Sequence, residues 1–216
     1  MTDLLGQRLI LASGSPRRAQ ILSEAGIDLE ISPADIDEDA VLANGGELVD
    51  AVQELALAKA QSVGYGHLGE YVLGADTIVV LDGEVLGKPG SAADAVEMLQ
   101  QLSGKQHVVI TGVAVVNPAG ETHTNHVSTS VIFRTLDEGE IAEYVSSGSP
   151  FDKAGGYGIQ DRSFAPVASY DECYLNVVGL PMCAASELLI QSGFPLSAGI
   201  SCIGHADSEP AESRLL

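Results

Sequence analysis

Apolar runs and helical repeats alternate along the first part of this chain. Residues 8–12 form a short apolar run typical of a buried strand, and residues 19–25 follow it with a helix-like pattern. The alternating segment 28–32 indicates a second strand. Between residues 47 and 63, apolar side chains recur at helical spacing and predict a long helix.

The middle of the chain is rich in strand patterns. Residues 71–81 are largely apolar, and the Asp-Gly pair at 82–83, followed by the apolar residues of 84–86, is a strong hairpin signal. Two long alternating segments, 107–117 and 122–133, predict an antiparallel pair. Strands and helices in this order favour an α/β fold.

Helix-start signals mark two of the later helices. Ser91 is a favourable N-cap for a helix over residues 92–102, and Thr135 with Glu138 matches a capping box for the next helix. We expect a last helix over residues 181–192, where a Gly follows the final residue and stops it.

The composition agrees with this fold class. Hydrophobic residues make up 45% of the 216 residues and aromatic residues only 5%, so the core must consist mainly of Val, Leu, Ile and Ala, as in proteins with buried strands. We find no internal repeat and no linker, and therefore expect a single domain over residues 1–195. Residues 196–216 carry Pro, Ser, Gly and acids and are expected to form a flexible tail.

The acidic charge limits the partners that this chain can bind. A formal net charge of -20 disfavours nucleic-acid polymers and anionic membranes. No apolar run is long enough to span a bilayer, and the N-terminal residues lack the pattern of a signal peptide, so we expect a cytoplasmic protein. A small phosphate ligand is still compatible if a few cations are focused at one place and a divalent metal offsets further charge.

Residues 13–18, Ser-Gly-Ser-Pro-Arg-Arg, have the form of an anion site. They lie where the first strand turns into the first helix, so backbone N–H groups and the positive end of the helix dipole are available there. Arg17 and Arg18 add charge and bidentate donors. Taken alone, the segment is equally compatible with an exposed arginine pair at a helix start.

Carboxylates and lysines elsewhere extend this hypothesis. Asp76 interrupts an apolar strand, where a charge is costly unless it has a partner or a function, which makes it a candidate catalytic carboxylate. Glu38 lies in an acidic loop that could bind a hard divalent cation together with Asp76. Lys88, in a Gly-Lys-Pro loop, is a compact charge suited to phosphate. The alternatives are a structural Asp, a solvated acidic loop and an exposed turn.

The block 151–160 is the second most specific motif. Its glycines allow backbone to approach a ligand closely, Lys153 adds a charge, and Gln160 offers the paired donor and acceptor that can read a base edge. Half of the ten Lys and Arg residues lie in the candidate segments: Arg17, Arg18, Lys59, Lys88 and Lys153. The sequence contains no P-loop, no Rossmann dinucleotide motif and no nucleophile elbow.

Five motifs in this order and spacing resemble the Maf family of nucleoside triphosphate pyrophosphatases. They occupy residues 12–18, 74–79, 87–89, 152–160 and 176–181, and the resemblance runs from about Leu9 to about Gln191. It implies a Maf/inosine-triphosphatase-like α/β fold with a long twisted mixed sheet, flanking helices and a cleft between two lobes. It also implies hydrolysis of a nucleoside triphosphate to the monophosphate and diphosphate, a divalent cation (Mg²⁺ or Mn²⁺) as cofactor, and a homodimer.

The resemblance extends to individual residues. The form of residues 152–160 is similar to the branch that acts on dTTP and UTP. Asp76 takes the position of the general base, which would accept a proton from a metal-associated water, and Glu38 accompanies it at the metal. The remaining site residues implied are Arg17, Thr77 and Gln160 for substrate choice, and Ser13, Arg18, Lys59, Lys88 and Lys153 for phosphate and metal contacts.

Two departures from the family pattern lie near the expected nucleobase end. Asp161 stands where the family usually has Gly, and residues 171–174 replace a Gly-Ser-Tyr turn. One alternative is therefore the same hydrolysis on purine or modified nucleotides. Another is a nucleotide-binding regulator of septum formation in dividing cells, with little relevant catalysis; such a protein would have no need of a base at Asp76.

Overall fold

The computed structural model describes residues 7–38, 41 and 46–196. The tail predicted from residue 196 onward therefore lies, apart from its first residue, outside the described residues. Within the described ranges, no helix has both the length and the apolar character needed to cross a membrane.

In the described residues, seven strands form one mixed sheet, the kind of sheet that the resemblance implies, and all of them except β7 are predicted from the sequence. They are β1 (Leu9–Leu11), β2 (Leu29–Ile31), β3 (Tyr71–Leu81), β4 (Glu84–Leu86), β5 (Gln106–Val116), β6 (Thr122–Phe133) and β7 (Val167–Tyr170). The strand order is β2-β1-β3-β5-β6-β7, and β4 pairs with β3 beside this path. Strand β1 runs parallel to β2 and β3, whereas β4 is antiparallel to β3 and β7 to β6.

Six α-helices accompany the sheet in the described part of the chain. They are α1 (Pro16–Glu24), α2 (Leu48–Gly64), α3 (Ala92–Leu102), α4 (Glu138–Ser146), α5 (Tyr174–Val178) and α6 (Met182–Gln191). Helix α1 begins three residues earlier than predicted, since Pro16 is pre-organised for the first helical position. The predicted N-cap of α3 is confirmed: the Ser91 hydroxyl oxygen accepts the Asp94 N–H at 3.2 Å.

The capping box predicted for α4 is wrong by two residues. Asp137 is the N-cap, its carboxylate accepts the Gly139 N–H at 2.8 Å, and the Glu140 carboxylate accepts the Asp137 N–H at 3.0 Å. Asp137 is itself a preferred N-cap residue, and Arg134 supports this register, because its guanidinium donates two hydrogen bonds of 2.9 Å to Glu140 and so holds that carboxylate over the helix start. The sequence pattern does not show that ion pair.

The chain divides into two compact units. Unit 1 comprises residues 1–77, 111–127 and 179–203, and unit 2 comprises residues 78–110, 128–178 and 204–216, within the described ranges. Strands β3, β5 and β6 contribute residues to both. A single domain over residues 1–195 stays a prediction.

Helix α2 lies very close to the sheet within unit 1. A Cβ atom at Gly74 on β3 would lie 2.2 Å from the Ala56 carbonyl oxygen, and one at Gly112 on β5 would lie 2.4 Å from the Val52 carbonyl oxygen. Only glycine permits this approach of backbone to backbone. The contact is completed by small apolar side chains: Ile10, Ala12, Ala56, Ala60, Val63, Val72 and Ala114.

Candidate functional site

In unit 1, the close approach of α2 to β3 brings a lysine to the candidate base. Asp76 lies on β3 two residues after Gly74, and its side chain is 13% exposed. Lys59 projects from α2, and its Nζ donates a hydrogen bond of 2.6 Å to Asp76 Oδ1. The sequence predicts both residues as site members, and the structure joins them directly.

Glu38 completes this group. Its Oε1 lies 2.8 Å from Lys59 Nζ, so one ammonium bridges two carboxylates. The Lys59 side chain is 12% exposed and that of Glu38 is 54% exposed, which leaves the Glu38 side of the bridge open to water. Two carboxylates from separate parts of the sequence thus converge on the positive charge of Lys59.

This donor set fits a divalent cation that is shared with a substrate. The described residues contain no group of three or more His, Cys, Asp and Glu side chains that could hold a metal. The described side chains alone therefore do not supply a complete ligand set. Mg²⁺, however, is commonly held by one or two carboxylates together with substrate phosphates and water. Glu38 and Asp76, which both contact the Lys59 ammonium, would provide such a pair.

Arg18 is the centre of a second network in unit 1. Its Nε donates to the Gly179 carbonyl oxygen at 2.7 Å, Nη1 to Ser13 Oγ at 2.9 Å, and Nη2 to Thr77 Oγ1 at 3.0 Å. Burial lowers the pKa of Arg18, while the charges of Asp76 and Glu38 act in the opposite direction. The predicted residues Ser13, Arg18 and Thr77 are therefore brought together, with the guanidinium turned toward the protein's own acceptors.

The same network contains residues that the sequence analysis missed. Thr111 on β5 is fully buried, and its hydroxyl lies 3.0 Å from the Thr77 hydroxyl. Gly179 supplies the carbonyl oxygen for Arg18 and lies in the predicted motif 176–181, although its sequence carries no sign of that role. Arg17, the other arginine of the pair, is half-buried on α1.

In unit 2, the predicted lysine loop is joined to the glycine-rich block. Lys88 is exposed in the turn after β4, and the carbonyl oxygen of its neighbour Gly87 accepts the Gly155 N–H at 3.0 Å. Gly155 has a φ of +68°, and a Cβ atom there would lie 3.1 Å from both methyl groups of Val79. Glycine is required at this position by both conformation and space.

Lys153 is surrounded by acceptors of its own unit. Its Nζ donates to the Ser149 carbonyl oxygen at 2.5 Å and to Asp152 Oδ1 at 2.9 Å, and it lies 3.9 Å from Asp161 Oδ2. The Lys153 side chain is 12% exposed. A phosphate at this lysine would have to compete with two carboxylates for the same charge.

Gln160 lies in a tight turn that follows the glycine-rich block. The Asp161 N–H donates to the Gly158 carbonyl oxygen at 3.1 Å, which closes a four-residue turn with Gln160 exposed at its third position. Tyr144, on α4, donates a very short hydrogen bond to the Asp161 carboxylate. Burial and this bond raise the pKa of the Tyr144 hydroxyl.

A buried histidine contacts Tyr157 in the glycine-rich block. His107 on β5 is 2% exposed, and its Nε2 lies 2.7 Å from the Tyr157 hydroxyl oxygen. Burial lowers the pKa of His107 to about 4. The rings of His107, Phe133 and Tyr157 meet edge to face at 4.6 to 5.4 Å. Sequence analysis missed His107 because one histidine in an alternating strand carries no functional pattern.

Comparison with known proteins agrees with the order of these motifs. The model of the family described as "Maf-like protein" matches residues 8–192. A protein of Symbiobacterium thermophilum named "dTTP/UTP pyrophosphatase" is 48% identical over 193 residues, which cover 89% of this chain and 98% of that protein. A protein of Moorella thermoacetica with the same name is 49% identical over 185 residues, covering 84% of this chain and 93% of that protein.

Solved structures show a more distant likeness. The Staphylococcus aureus Ham1 protein aligns at a TM-score of 0.43 with 16% identity, over 59% of this chain and 72% of that chain. A nucleoside-triphosphatase (dITP/XTP pyrophosphatase) of Mycobacterium abscessus aligns at a TM-score of 0.40 with 20% identity, over 60% of this chain and 76% of that chain.

Proposed function

This chain belongs to the Maf family, and on that premise we propose that it hydrolyses dTTP and UTP. The products are the nucleoside monophosphate and inorganic diphosphate (pyrophosphate). Relatives at 44 to 49% identity that bear the name dTTP/UTP pyrophosphatase support the substrate class. The structural observation that carries the proposal is the convergence of Asp76 and Glu38 on Lys59 Nζ, at 2.6 and 2.8 Å.

Asp76 is the proposed general base. In this role it accepts a proton from a water molecule whose oxygen forms a bond to the α-phosphorus, while the bond to the bridging oxygen breaks and its electron pair leaves with the diphosphate. Lys59 already donates to Oδ1, so Oδ2 is the oxygen that would take the proton. Lys59 fixes the direction of the carboxylate by this bond.

Positive charge supports the same step. A triphosphate is strongly anionic, and fixed cations that face its phosphates stabilise the charge that develops on the leaving group. When bound, a divalent cation held by Glu38 and Asp76 would neutralise part of that charge. Arg17 is proposed to help select the nucleotide, whereas Arg18 holds Ser13 and Thr77 in place.

The remaining assignments rest on the motif resemblance. Gln160 is proposed to read the base edge, and Lys88 and Lys153 are proposed to bind phosphate. At Lys153 the phosphate would compete with the acceptors Ser149, Asp152 and Asp161. A cytoplasmic homodimer without nucleic-acid or membrane partners is part of the same proposal. Purine specificity would leave the reaction unchanged and alter only the substrate.

The test is a panel of nucleoside triphosphates with Mg²⁺ or Mn²⁺, read out as diphosphate released. We expect dTTP and UTP to be the preferred substrates and Asp76→Asn to lower kcat by about 10²–10⁴-fold, the range of a lost general base. Asp82→Asn is the matched control, because Asp82 is an exposed carboxylate in the hairpin turn after β3, with a side chain 76% exposed.

The outcomes separate the alternatives. Release of single phosphates instead of diphosphate would show a phosphatase. A folded Asp76→Asn variant with near-normal turnover would remove Asp76 from the role of base. Tight nucleotide binding by the wild type without turnover would favour the regulator.

A further inference from the structure

The turn that carries Gln160 is held at both of its ends by one side chain. The Tyr144 hydroxyl donates to the Asp161 carboxylate, and the Gly158 backbone hydrogen-bonds to the same phenol oxygen. Gly158 and Asp161 are the first and last residues of the turn, and the Asp161 N–H closes it at 3.1 Å. The hydroxyl of Tyr144 therefore bridges the two residues that flank Ile159 and Gln160.

Tyr144 itself is well fixed. It is 6% exposed, and its ring stacks on Phe164, which lies farther along the same loop, with centroids 4.0 Å apart and planes inclined by 6°. Arg134 holds the far end of the loop by donating to the carbonyl oxygens of Phe164 and Ala165 at 2.8 and 3.0 Å. The turn is thus supported by a fixed side chain of α4, and the loop that follows it is held by Arg134.

A surface turn that presents one exposed residue and is closed by one backbone hydrogen bond is otherwise a mobile element. A glutamine can discriminate between bases only if its carboxamide has a defined direction, because the group presents a donor on one side and an acceptor on the other. Fixing both ends of the turn removes the motion that would let the Gln160 carboxamide point in several directions.

We propose that Tyr144 and Asp161 form a positioning pair that holds the Gln160 turn and thereby sets the base preference of the enzyme. The inference rests on the proposed function, in which Gln160 reads the base. Asp161 is one of the two departures from the family pattern described above.

Asp161 could instead act only through its charge, since it lies 3.9 Å from Lys153 Nζ. Asp152 separates the two explanations. It lies nearer to the same ammonium, at 2.9 Å, and belongs to the preceding short helical segment Ser149–Asp152 rather than to the turn. A pure charge effect would be at least as large for Asp152→Asn, and it would affect every triphosphate alike.

The experiment measures kcat and KM for dTTP and dGTP and compares the ratio of their kcat/KM values. We expect Tyr144→Phe, which keeps the ring stack, and Asp161→Ala to lower this ratio about fivefold, the effect of one lost hydrogen bond. Asp161→Asn keeps an acceptor for the phenol and should retain the wild-type ratio. Asp152→Asn should change KM for both nucleotides equally and leave the ratio unchanged.

A purely structural role predicts a different result. In that case Tyr144→Phe and Asp161→Ala would lower the free energy of unfolding in urea without altering the ratio, and the inference would be overturned. It would also be overturned if Asp152→Asn changed the ratio as much as Asp161→Ala. Should Tyr144→Phe fail to fold, the kcat/KM ratios of Asp161→Ala and Asp161→Asn alone test the inference.

Gln160→Ala distinguishes this inference from the proposed function. If Gln160→Ala changes the ratio and the Tyr144 and Asp161 variants do not, the pair has no positioning role and the proposed function stands. If the wild-type enzyme hydrolyses neither nucleotide, or if Gln160→Ala leaves the ratio unchanged, Gln160 does not read the base. The inference about Tyr144 and Asp161 is then overturned as well.

Discussion

At the scale of single residues, His107 is a buried imidazole that contributes to stability in a pH-dependent way. Its pKa in the folded protein is about 4, whereas an unperturbed histidine has a pKa of about 6.5. Between these values the unfolded chain binds the proton and the folded chain does not. The stability that His107 provides is therefore complete above pH 6.5 and is lost as the pH falls toward 4.

We expect the wild-type protein to lose about 2 kcal/mol more than a His107→Gln variant when the pH is lowered from 7.5 to 5. Glutamine can still hydrogen-bond to the Tyr157 hydroxyl but does not titrate. The measurement is urea unfolding of both proteins at each pH. Equal pH dependence of the two proteins would show that His107 is not neutral in the folded state.

At the scale of elements, the contact of α2 with β3 determines where Lys59 meets Asp76. The two residues are 17 apart in sequence, and their side chains meet because the backbone of α2 approaches β3 at Gly74. Helical spacing predicts α2, and the apolar run predicts β3. Neither pattern shows how near to one another the two elements lie.

Gly74→Ala tests this contact. The added methyl group would lie 2.2 Å from the Ala56 carbonyl oxygen, so α2 must move away from the sheet. We expect a loss of about 3 kcal/mol or more in the free energy of unfolding, the upper range for overpacking. We also expect lower kcat/KM for dTTP, because Lys59 moves with the helix.

Gly64→Ala, at the end of α2, is the matched control. An added methyl group there would lie 4.0 Å from the nearest atoms, which belong to Val72 and Val116. Alanine has a higher helix propensity than glycine, so the free energy of unfolding should stay equal or rise by up to about 1 kcal/mol. If both glycine substitutions had the same effect, close packing at Gly74 would not be the cause.

At the scale of the whole molecule, charge opposes folding. The chain has 30 acidic residues against ten Lys and Arg, and a net charge of -20 repels itself in the compact state. Salt shortens the range of this repulsion, with a Debye length of about 10 Å at 0.1 M and 3 Å at 1 M. The stability of the protein should therefore depend on ionic strength.

We expect the Tm to rise by about 3 °C or more when NaCl is increased from 0.05 to 0.5 M, because relief of 1 kcal/mol shifts the Tm of a chain of this size by about 2–4 °C. Thermal unfolding followed by circular dichroism measures this. A variant with Glu54, Glu84 and Glu143, all exposed, replaced by Gln should respond less to salt. An equal response would show that the salt effect is not relief of repulsion.

Sequence alone predicted the mixed α/β class, the family and the candidate residues from Ser13 to Gln160. It also predicted every described strand except β7 and every described α-helix except α5. The physical reason is that periodicity, N-caps and motifs are local: each is read from residues that are close along the chain. The shifted capping box of α4 marks the limit of such patterns, since Thr135 and Asp137 both offer a local cap signal. The Arg134–Glu140 ion pair that supports the observed cap is a contact that the motif does not contain.

Only the tertiary structure decided which candidate residues meet. Arg18 reaches the carbonyl oxygen of Gly179, 161 residues away, and Lys59 bridges Glu38 and Asp76. Such contacts depend on how closely helices and strands pack, which is set by glycines and small side chains on separate elements. The candidate residues were therefore predictable from their motifs, whereas the contacts between them required the fold.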